Sequence, residues 1–326
     1  MWLSPSLLPS FSPLKMHIPD GFLSVPVSIV LWALSVIVIA YALRRANKDL
    51  GEKQVPLMGV LAAAIFAGQM LNFTVAGGTS GHLLGAALAT ILLGPWAAVL
   101  VMTTVVGVQA LIFQDGGLLA MGGNLFNMAV IGVFVSYFVY RTLQRLSGGQ
   151  KWGVFVGGVL AAWASIFIAA LAAALQLAFS GTSPANLGVP AMGGIHAIIG
   201  IGEALITLGA LAFLYATRRD LLKMDGTQAK SGSLVWIGGL AIALLLAVAS
   251  PLASSHPDGL EWVAEQQGFI NAAQANPYNV IPDYVLPGVS NEAVATILAG
   301  IVGVIIVFGV ALLIAYTRRN RHSTVN

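Results

Sequence analysis

The stretch at residues 16–45, MHIPDGFLSVPVSIVLWALSVIVIAYALRR, decides the fold class. Its apolar run at residues 25–43 is long enough to cross a bilayer, which requires about 20 predominantly apolar residues. Arg44 and Arg45 follow directly, as is typical where a membrane helix reaches the cytoplasm. The stretch therefore predicts a membrane-spanning helix, with a potential metal ligand, His17, just before it.

The composition extends this prediction to the whole chain. Of its 326 residues, 58% are hydrophobic and 8% are charged, and the mean hydropathy is +0.88. A soluble domain carries about 25% charged residues. Cysteine is absent, which excludes disulfides, cysteine-bound zinc and iron–sulfur clusters. We therefore predict an all-α polytopic membrane protein.

Apolar runs predict nine membrane spans, of which the third is short enough to be tilted, broken or re-entrant. They cover residues 25–43, 57–75, 82–93, 97–113, 121–140, 154–179, 195–215, 234–251 and 293–316. The first seven form a predicted seven-span bundle, and the last two form a C-terminal hairpin.

The basic residues predict the orientation, because Lys and Arg collect in cytoplasmic loops. They follow spans one, five, seven and nine: Arg44, Arg45, Lys48, Lys53, Arg141, Arg145, Lys151, Arg218, Arg219, Lys223, Lys230, Arg318, Arg319 and Arg321. This topology places 14 of the 15 Lys and Arg residues inside and leaves only Lys15 outside. We therefore expect an external N-terminus and a cytoplasmic C-terminus in a multi-pass protein of the inner or plasma membrane.

A polar stretch, RRDLLKMDGTQAKSGS, indicates a domain boundary. We predict an N-terminal extension at residues 1–15, a membrane domain at 16–219, a cytoplasmic linker at 220–233 and a C-terminal module at 234–326. The external loop of that module, residues 252–292, has acidic residues but no Lys or Arg. This bias has two interpretations: attraction of cations, or simple avoidance of basic residues in translocated loops.

Polar side chains at membrane depth are candidates for function, because burying them in lipid is costly. The candidates are Asn72, His82, Gln114, Asp115, Asn124, Asn127, His196 and Glu203. His196 and Glu203 are seven residues apart, which places them on one helical face. Each has a structural alternative: His82 as a packing or capping histidine, and His196 and Glu203 as a hydrogen-bonded pair or a subunit contact.

The stretch MHIPDG predicts metal chemistry if the chain begins at Met16. The free amine of Met16 and the amide and imidazole nitrogens of His17 can then chelate one ion in a plane. Such nitrogen sets favour Ni(II) or Cu(II). Asp20 and the glycine after it favour a turn, so that the tail folds back over the external face, where His82 can supply a fourth nitrogen.

Four ordered motifs carry a family resemblance. MHIPDGFLS, GGTSGHLLG, GGNLFNMAVIG and GIHAIIGIGEALIT together resemble the CbiM/NikM family, the metal-binding membrane component of energy-coupling-factor nickel and cobalt transporters. The resemblance covers about residues 16–219, and HPDGLEWVAE in the C-terminal module resembles the PDGLE/NikN-type module of fused nickel transport proteins.

The resemblance implies a ligand set and partners. The metal ligands would be Met16, His17 and His82, with Ni²⁺ or Co²⁺ as the transported substrate and no cofactor. Beyond what the resemblance implies, we expect Asp20, Asn72, Gln114, Asp115, Asn124 and Asn127 to orient the ligands from around them, with Asp20 fixing the loop, and His196 with Glu203 to form a coupling pair. The sequence has no P-loop motif, so energy must come from a CbiQ/NikQ-like coupling protein and a CbiO/NikO-like ATPase. Membrane lipid is the other expected partner, and no nucleic acid is expected.

Residues 1–15 depart from the family pattern and have no basic n-region of a signal peptide. We therefore expect the working chain to begin at Met16. Three alternatives remain: a cobalt importer for cobalamin synthesis, a membrane metal sensor that does not transport, and a membrane enzyme that uses His196 and Glu203 as acid and base.

Overall fold

The computed structural model describes residues 16–49, 54–222 and 233–318. Outside this part of the chain lie the predicted extension at residues 1–15, most of the predicted linker and the basic residues Lys53, Lys223, Lys230, Arg319 and Arg321.

The α-helices are α1 (Val25–Asp49), α2 (Gln54–Gln69), α3 (Ala86–Leu93), α4 (Pro95–Ile112), α5 (Met121–Leu125), α6 (Gly132–Leu146), α7 (Lys151–Phe179), α8 (Ala185–Thr217), α9 (Ser233–Ala249), α10 (Gly259–Gln267) and α11 (Glu292–Arg318). A π-helical turn, Phe126–Ile131, joins α5 to α6, so these two run as one helix.

Six helices of the described ranges are long and apolar enough to cross a membrane. They are Val25–Ala46, Pro95–Ile112, Met121–Leu146, Lys151–Phe179, Ala185–Thr217 and Glu292–Arg318. The spans predicted at 57–75 and 234–251 correspond to shorter apolar helices, Gln54–Gln69 and Trp236–Leu252. The span predicted at 82–93 contains only the eight helical residues of α3. The mostly helical membrane architecture is confirmed, and the count of nine stays a prediction.

A small hairpin, absent from the all-α prediction, explains why α2 stops early. Strands β1 (Phe73–Val75) and β2 (Thr79–Gly81) pair in antiparallel register, with Thr74 opposite Ser80. Gly77 and Gly78 in the connecting loop have φ of +83° and +78°, which side-chain-bearing residues rarely adopt. After β2, residues 82–85 form neither helix nor strand before α3 begins.

The C-terminal hairpin packs on the first part of the chain through α2, which contacts both α9 and α11. Gly303 of α11 lies against the buried ring of Phe66 on α2, and a Cβ at Gly303 would overlap that ring. The segment between α9 and α11 crosses one end of the bundle, where it covers residues 16–23 and the loop after α4.

Candidate metal site

The segment before α1, residues 16–23, packs into the molecule and does not extend into solvent. Met16, His17, Ile18 and Phe22 are each less than 9% exposed. The predicted turn is present: the carbonyl of Pro19 accepts a hydrogen bond from Phe22 N, and Gly21 has φ of +92°. The segment is therefore a fixed part of one end of the bundle.

Two polar side chains named from the sequence hold this segment against the loop after α4 and the start of α5. The Asp20 carboxylate accepts hydrogen bonds from Leu118 N at 3.0 Å and Ala120 N at 2.8 Å. The Asn124 amide pairs with both backbone groups of Ile18, at 3.0 and 3.1 Å. Asp20 thus fixes the loop, as the sequence predicts, and Asn124 fixes the backbone next to His17.

Three nitrogens of the segment converge on the carboxylate of Asp115. Met16 N and His17 N both donate to Oδ1, at 2.9 and 3.2 Å, and His17 Nδ1 lies 3.1 Å from Oδ2. This last contact has ion-pair distance without hydrogen-bond alignment: both ring nitrogens of the buried His17 lack a hydrogen-bond partner within the described residues. The three nitrogens therefore face one direction, as a chelate requires.

The electrostatics favour a charged Asp115. Burial by itself raises the pKa of a carboxyl group, but the nearby His17 and the Tyr284 hydrogen bond outweigh it, so the pKa of Asp115 lies below its ordinary value. Burial, followed by the charge of Asp115, raises the pKa of the Tyr284 hydroxyl well above its ordinary value, so Tyr284 acts as a hydrogen-bond donor.

The second imidazole lies beside the first. The ring centroids of His17 and His82 are 5.9 Å apart and the rings are tilted by 56°. His82 Nδ1 lies 3.1 Å from the carbonyl oxygen of Leu83, to which it donates when Nδ1 carries the ring proton. That tautomer leaves the Nε2 lone pair of His82 available to a metal ion.

Both imidazoles line a cavity of about 90 Å³. His196, Asn124, Asn127 and Asp258 line it as well. Groups of three or more His, Asp or Glu side chains with metal-binding geometry are absent from the described ranges.

Glu203 is fully buried and bonds to the non-helical segment that follows His82. Its fully buried carboxylate accepts hydrogen bonds from Leu84 N at 2.6 Å and Gly85 N at 3.0 Å. Gln69 donates to the carbonyl of Leu84 at 2.9 Å. Backbone outside a helix needs such partners at membrane depth. The Nδ1 atom of His196 instead lies 2.9 Å from the Met192 carbonyl, one turn back on α8.

The remaining candidates divide into one that lines the cavity and two that do not. Asn127 lines it and exchanges two hydrogen bonds with Gln176 at 2.6–2.9 Å. Gln114 accepts from Val280 N at 3.1 Å. Asn72 lies between α2 and β1 outside the cavity lining, and its backbone carbonyl accepts from Ser254 N.

Sequence reasoning missed two residues, both on the C-terminal module. Asp258 lines the cavity and caps α10 by accepting from Glu261 N at 2.8 Å. Tyr284 donates from its hydroxyl to Asp115 Oδ2 at 2.6 Å. The similarity between HIPDGF at residue 17 and HPDGLE at residue 256 could have drawn attention to Asp258, whereas Tyr284 has no local signal.

Comparison with known proteins agrees with the motifs. The family model CbiM, described as the cobalt uptake substrate-specific transmembrane region, matches residues 17–221, and the PDGLE domain matches residues 233–320. A putative fused nickel transport protein NikMN of Archaeoglobus fulgidus is 39% identical over 310 residues, which are 94% of this chain and 99% of the relative. The fused nickel transport protein NikMN of Rhodobacter capsulatus is 32% identical, over 93% of this chain and 99% of the relative.

Two further matches cover the first part of the chain. The cobalt transport protein CbiM of Sorangium cellulosum is 36% identical over 64% of this chain and 94% of its own length. A crystal structure of a truncated transition metal transporter is 37% identical with a TM-score of 0.56, over 62% of this chain and 99% of that one. The chain therefore belongs to the CbiM family, the cobalt uptake substrate-specific transmembrane region, and carries a PDGLE domain after that region.

Proposed function

We propose that this chain is the metal-capturing membrane subunit of an energy-coupling-factor importer for divalent nickel. The observation that carries the proposal is the meeting of His17 and His82, 5.9 Å apart, at a buried cavity next to three convergent nitrogens. Relatives named for nickel transport share both parts of the chain. Relatives named for cobalt transport match the first part, so the cobalt alternative is retained.

The proposed ligands are the Met16 amine, the amide nitrogen of His17 after release of its proton to solvent, the His17 imidazole and His82 Nε2. Four nitrogens in a plane favour Ni(II) or Cu(II) over zinc or magnesium. On binding, the ion would replace the contacts that Met16 and His17 now make with the Asp115 carboxylate. Asp115, Asn124 and Asp20 would orient the ligands through hydrogen bonds, which supports metal affinity without direct coordination.

The Met16 nitrogen chelates well as a free amine, and we propose that the working chain begins at Met16. The family model begins at His17, which supports this start. Mass spectrometry of the purified N-terminus tests it. Full-strength nickel binding by a chain that retains residues 1–15 would rule out the amine as a ligand.

The proposed orientation places the site on the extracytoplasmic face, because the basic residues cluster at the other ends of the helices. Transport then needs a coupling protein and a P-loop ATPase, since the sequence contains no P-loop motif. Binding should weaken below about pH 6, because a ligating histidine must be neutral and protons compete with the metal ion.

Uptake of radioactive nickel by cells that express the chain with its coupling protein and ATPase tests the proposal. We expect nickel uptake, and we expect His82→Ala to abolish it. A matched assay with cobalt should show weaker uptake. A sensor would bind nickel without accumulation in cells, whatever partners are present. If the chain were an enzyme that uses His196 and Glu203, its expression with these partners would give no nickel uptake.

A further inference from the structure

A segment of the C-terminal module, residues 276–285, lies along the end of α4 and the loop after it. We name residues 276–285 the external clasp. Five hydrogen bonds of 2.9–3.1 Å join it to residues 111–114: Asn276 Nδ2 to Gln114 O, Tyr278 Oη to Leu111 O, Val280 N to Gln114 Oε1, Ile281 N to Ile112 O and Asp283 N to Phe113 O. These bonds bring the clasp to the residue next to Asp115.

Tyr284 of the clasp reaches Asp115 itself. Its ring stacks on Phe113, with centroids 4.8 Å apart and planes 15° apart. Its hydroxyl donates to Asp115 Oδ2 at 2.6 Å, while Oδ1 of the same carboxylate accepts from Met16 N and His17 N. One carboxylate thus joins the clasp to the segment that carries the proposed ligands.

The backbone around this contact is held in uncommon conformations on both sides. Across the described residues, positive φ at positions other than glycine occurs at Gln114 (54°), Asp283 (55°) and Tyr284 (60°), and all three lie at this contact. Such conformations persist where the surrounding contacts impose them. These conformations occur at the residues that bring the Tyr284 hydroxyl to Asp115.

We propose that Tyr284 is a positioning residue for the metal clamp, and that the PDGLE module completes the site through the Tyr284–Asp115 hydrogen bond. The hydroxyl fixes the carboxylate, and the fixed carboxylate holds the nitrogens of Met16 and His17 in their convergent arrangement before the ion arrives. The identity of the ion rests on the function proposed above, whereas the positioning can be measured without metal.

Tyr284→Phe is the test variant, because it keeps the ring stacked on Phe113 and removes only the hydroxyl. Tyr278→Phe is the matched control: it removes a clasp hydroxyl that donates to Leu111 O at 3.0 Å rather than to Asp115. Both variants are made in the full chain. Hydrogen–deuterium exchange is measured on metal-free protein in peptides that cover residues 16–23, and nickel affinity is then measured by titration.

We expect faster exchange at residues 16–23 in Tyr284→Phe and unchanged exchange in Tyr278→Phe. Nickel affinity should fall about 10- to 100-fold in Tyr284→Phe, the usual cost of losing a group that orients a metal ligand, and less than about 3-fold in Tyr278→Phe. In the Asp115→Asn background, adding Tyr284→Phe should have little further effect, because the residue acts through that carboxylate.

Wild-type exchange in Tyr284→Phe would overturn the proposal. Equal effects of the two tyrosine variants would also overturn it, because the hydroxyls would then serve only to dock the clasp. So would a Tyr284→Phe effect that persists in full with Asp115→Asn. If the predicted difference in exchange is found but neither the wild type nor either variant binds nickel, the positioning role is supported and the proposed function is wrong.

Discussion

Glu203 explains how the chain leaves helical geometry next to His82. The segment from residue 82 to 85 is neither helix nor strand, so its backbone N–H groups need other partners. The buried carboxylate supplies acceptors for Leu84 N and Gly85 N, two and three residues after His82. We therefore propose that Glu203 holds the segment that follows His82.

Glu203→Gln should weaken nickel binding about 10-fold and lower the free energy of unfolding by about 1–3 kcal/mol, because one buried N–H loses its acceptor. Calorimetric titration and thermal unfolding in detergent check both values. The control is Thr207→Val, one turn along α8, whose buried hydroxyl has no hydrogen-bond partner within the described part of the chain. Wild-type nickel affinity in Glu203→Gln would refute the role.

Local pattern was enough to name most of the candidate residues that meet near His17, and it failed where a contact depends on tertiary docking. Asp115 and Asn124 lie close to residues 16–23 because the loop after α4 returns to the end of the bundle where α1 begins. Tyr284 lies 169 residues from Asp115, and nothing in its own neighbourhood predicts the path of the clasp. The second predicted span reached residue 75, beyond the end of α2 at Gln69. An apolar run does not reveal that FTV pairs with TSG as strands.

Among the elements, α2 links the two parts of the molecule. It packs against α9 and α11 of the C-terminal hairpin, and Phe66 on α2 faces Gly303. The Phe66 ring also lies 5.3 Å from Phe113 and 6.1 Å from Tyr284, measured between centroids. The ring cannot move aside without disturbing the clasp, so the glycine is needed for α11 to dock.

Gly303→Ala should lower the free energy of unfolding by about 1–3 kcal/mol, because the added methyl group overlaps a ring that has no room to move. Gly309→Ala, six residues along the same helix, is the control: a Cβ there meets no atom within 4 Å. It should leave stability unchanged or raise it slightly, since alanine favours helix. Thermal unfolding of both variants in detergent decides, and equal behaviour would contradict tight packing at Gly303.

As a whole, the molecule is two parts joined by more than their linker. The C-terminal part contacts the first through the packing of α2 with α9 and α11 and through the clasp. Its Asp258 lines the cavity next to His17 and His82. The proposed metal site therefore belongs to both parts, which gives a physical reason for them to share one chain.

A protease site placed within residues 223–232 tests that statement. After cleavage the two pieces should still co-purify, and nickel affinity should stay within about 3-fold of the intact chain, because the described contacts that build the site join residues on either side of the cut. Size-exclusion chromatography and titration of the cleaved protein check this. Separation of the pieces would show that the linker, and not the packing, holds them together.

X-ray absorption spectroscopy of the nickel-loaded chain that begins at Met16 tests the nitrogen clamp most directly. We expect a planar shell of four nitrogens that contains two imidazoles, with one imidazole lost in His82→Ala. A six-coordinate, oxygen-rich shell that neither His17→Ala nor His82→Ala alters would contradict the nitrogen clamp.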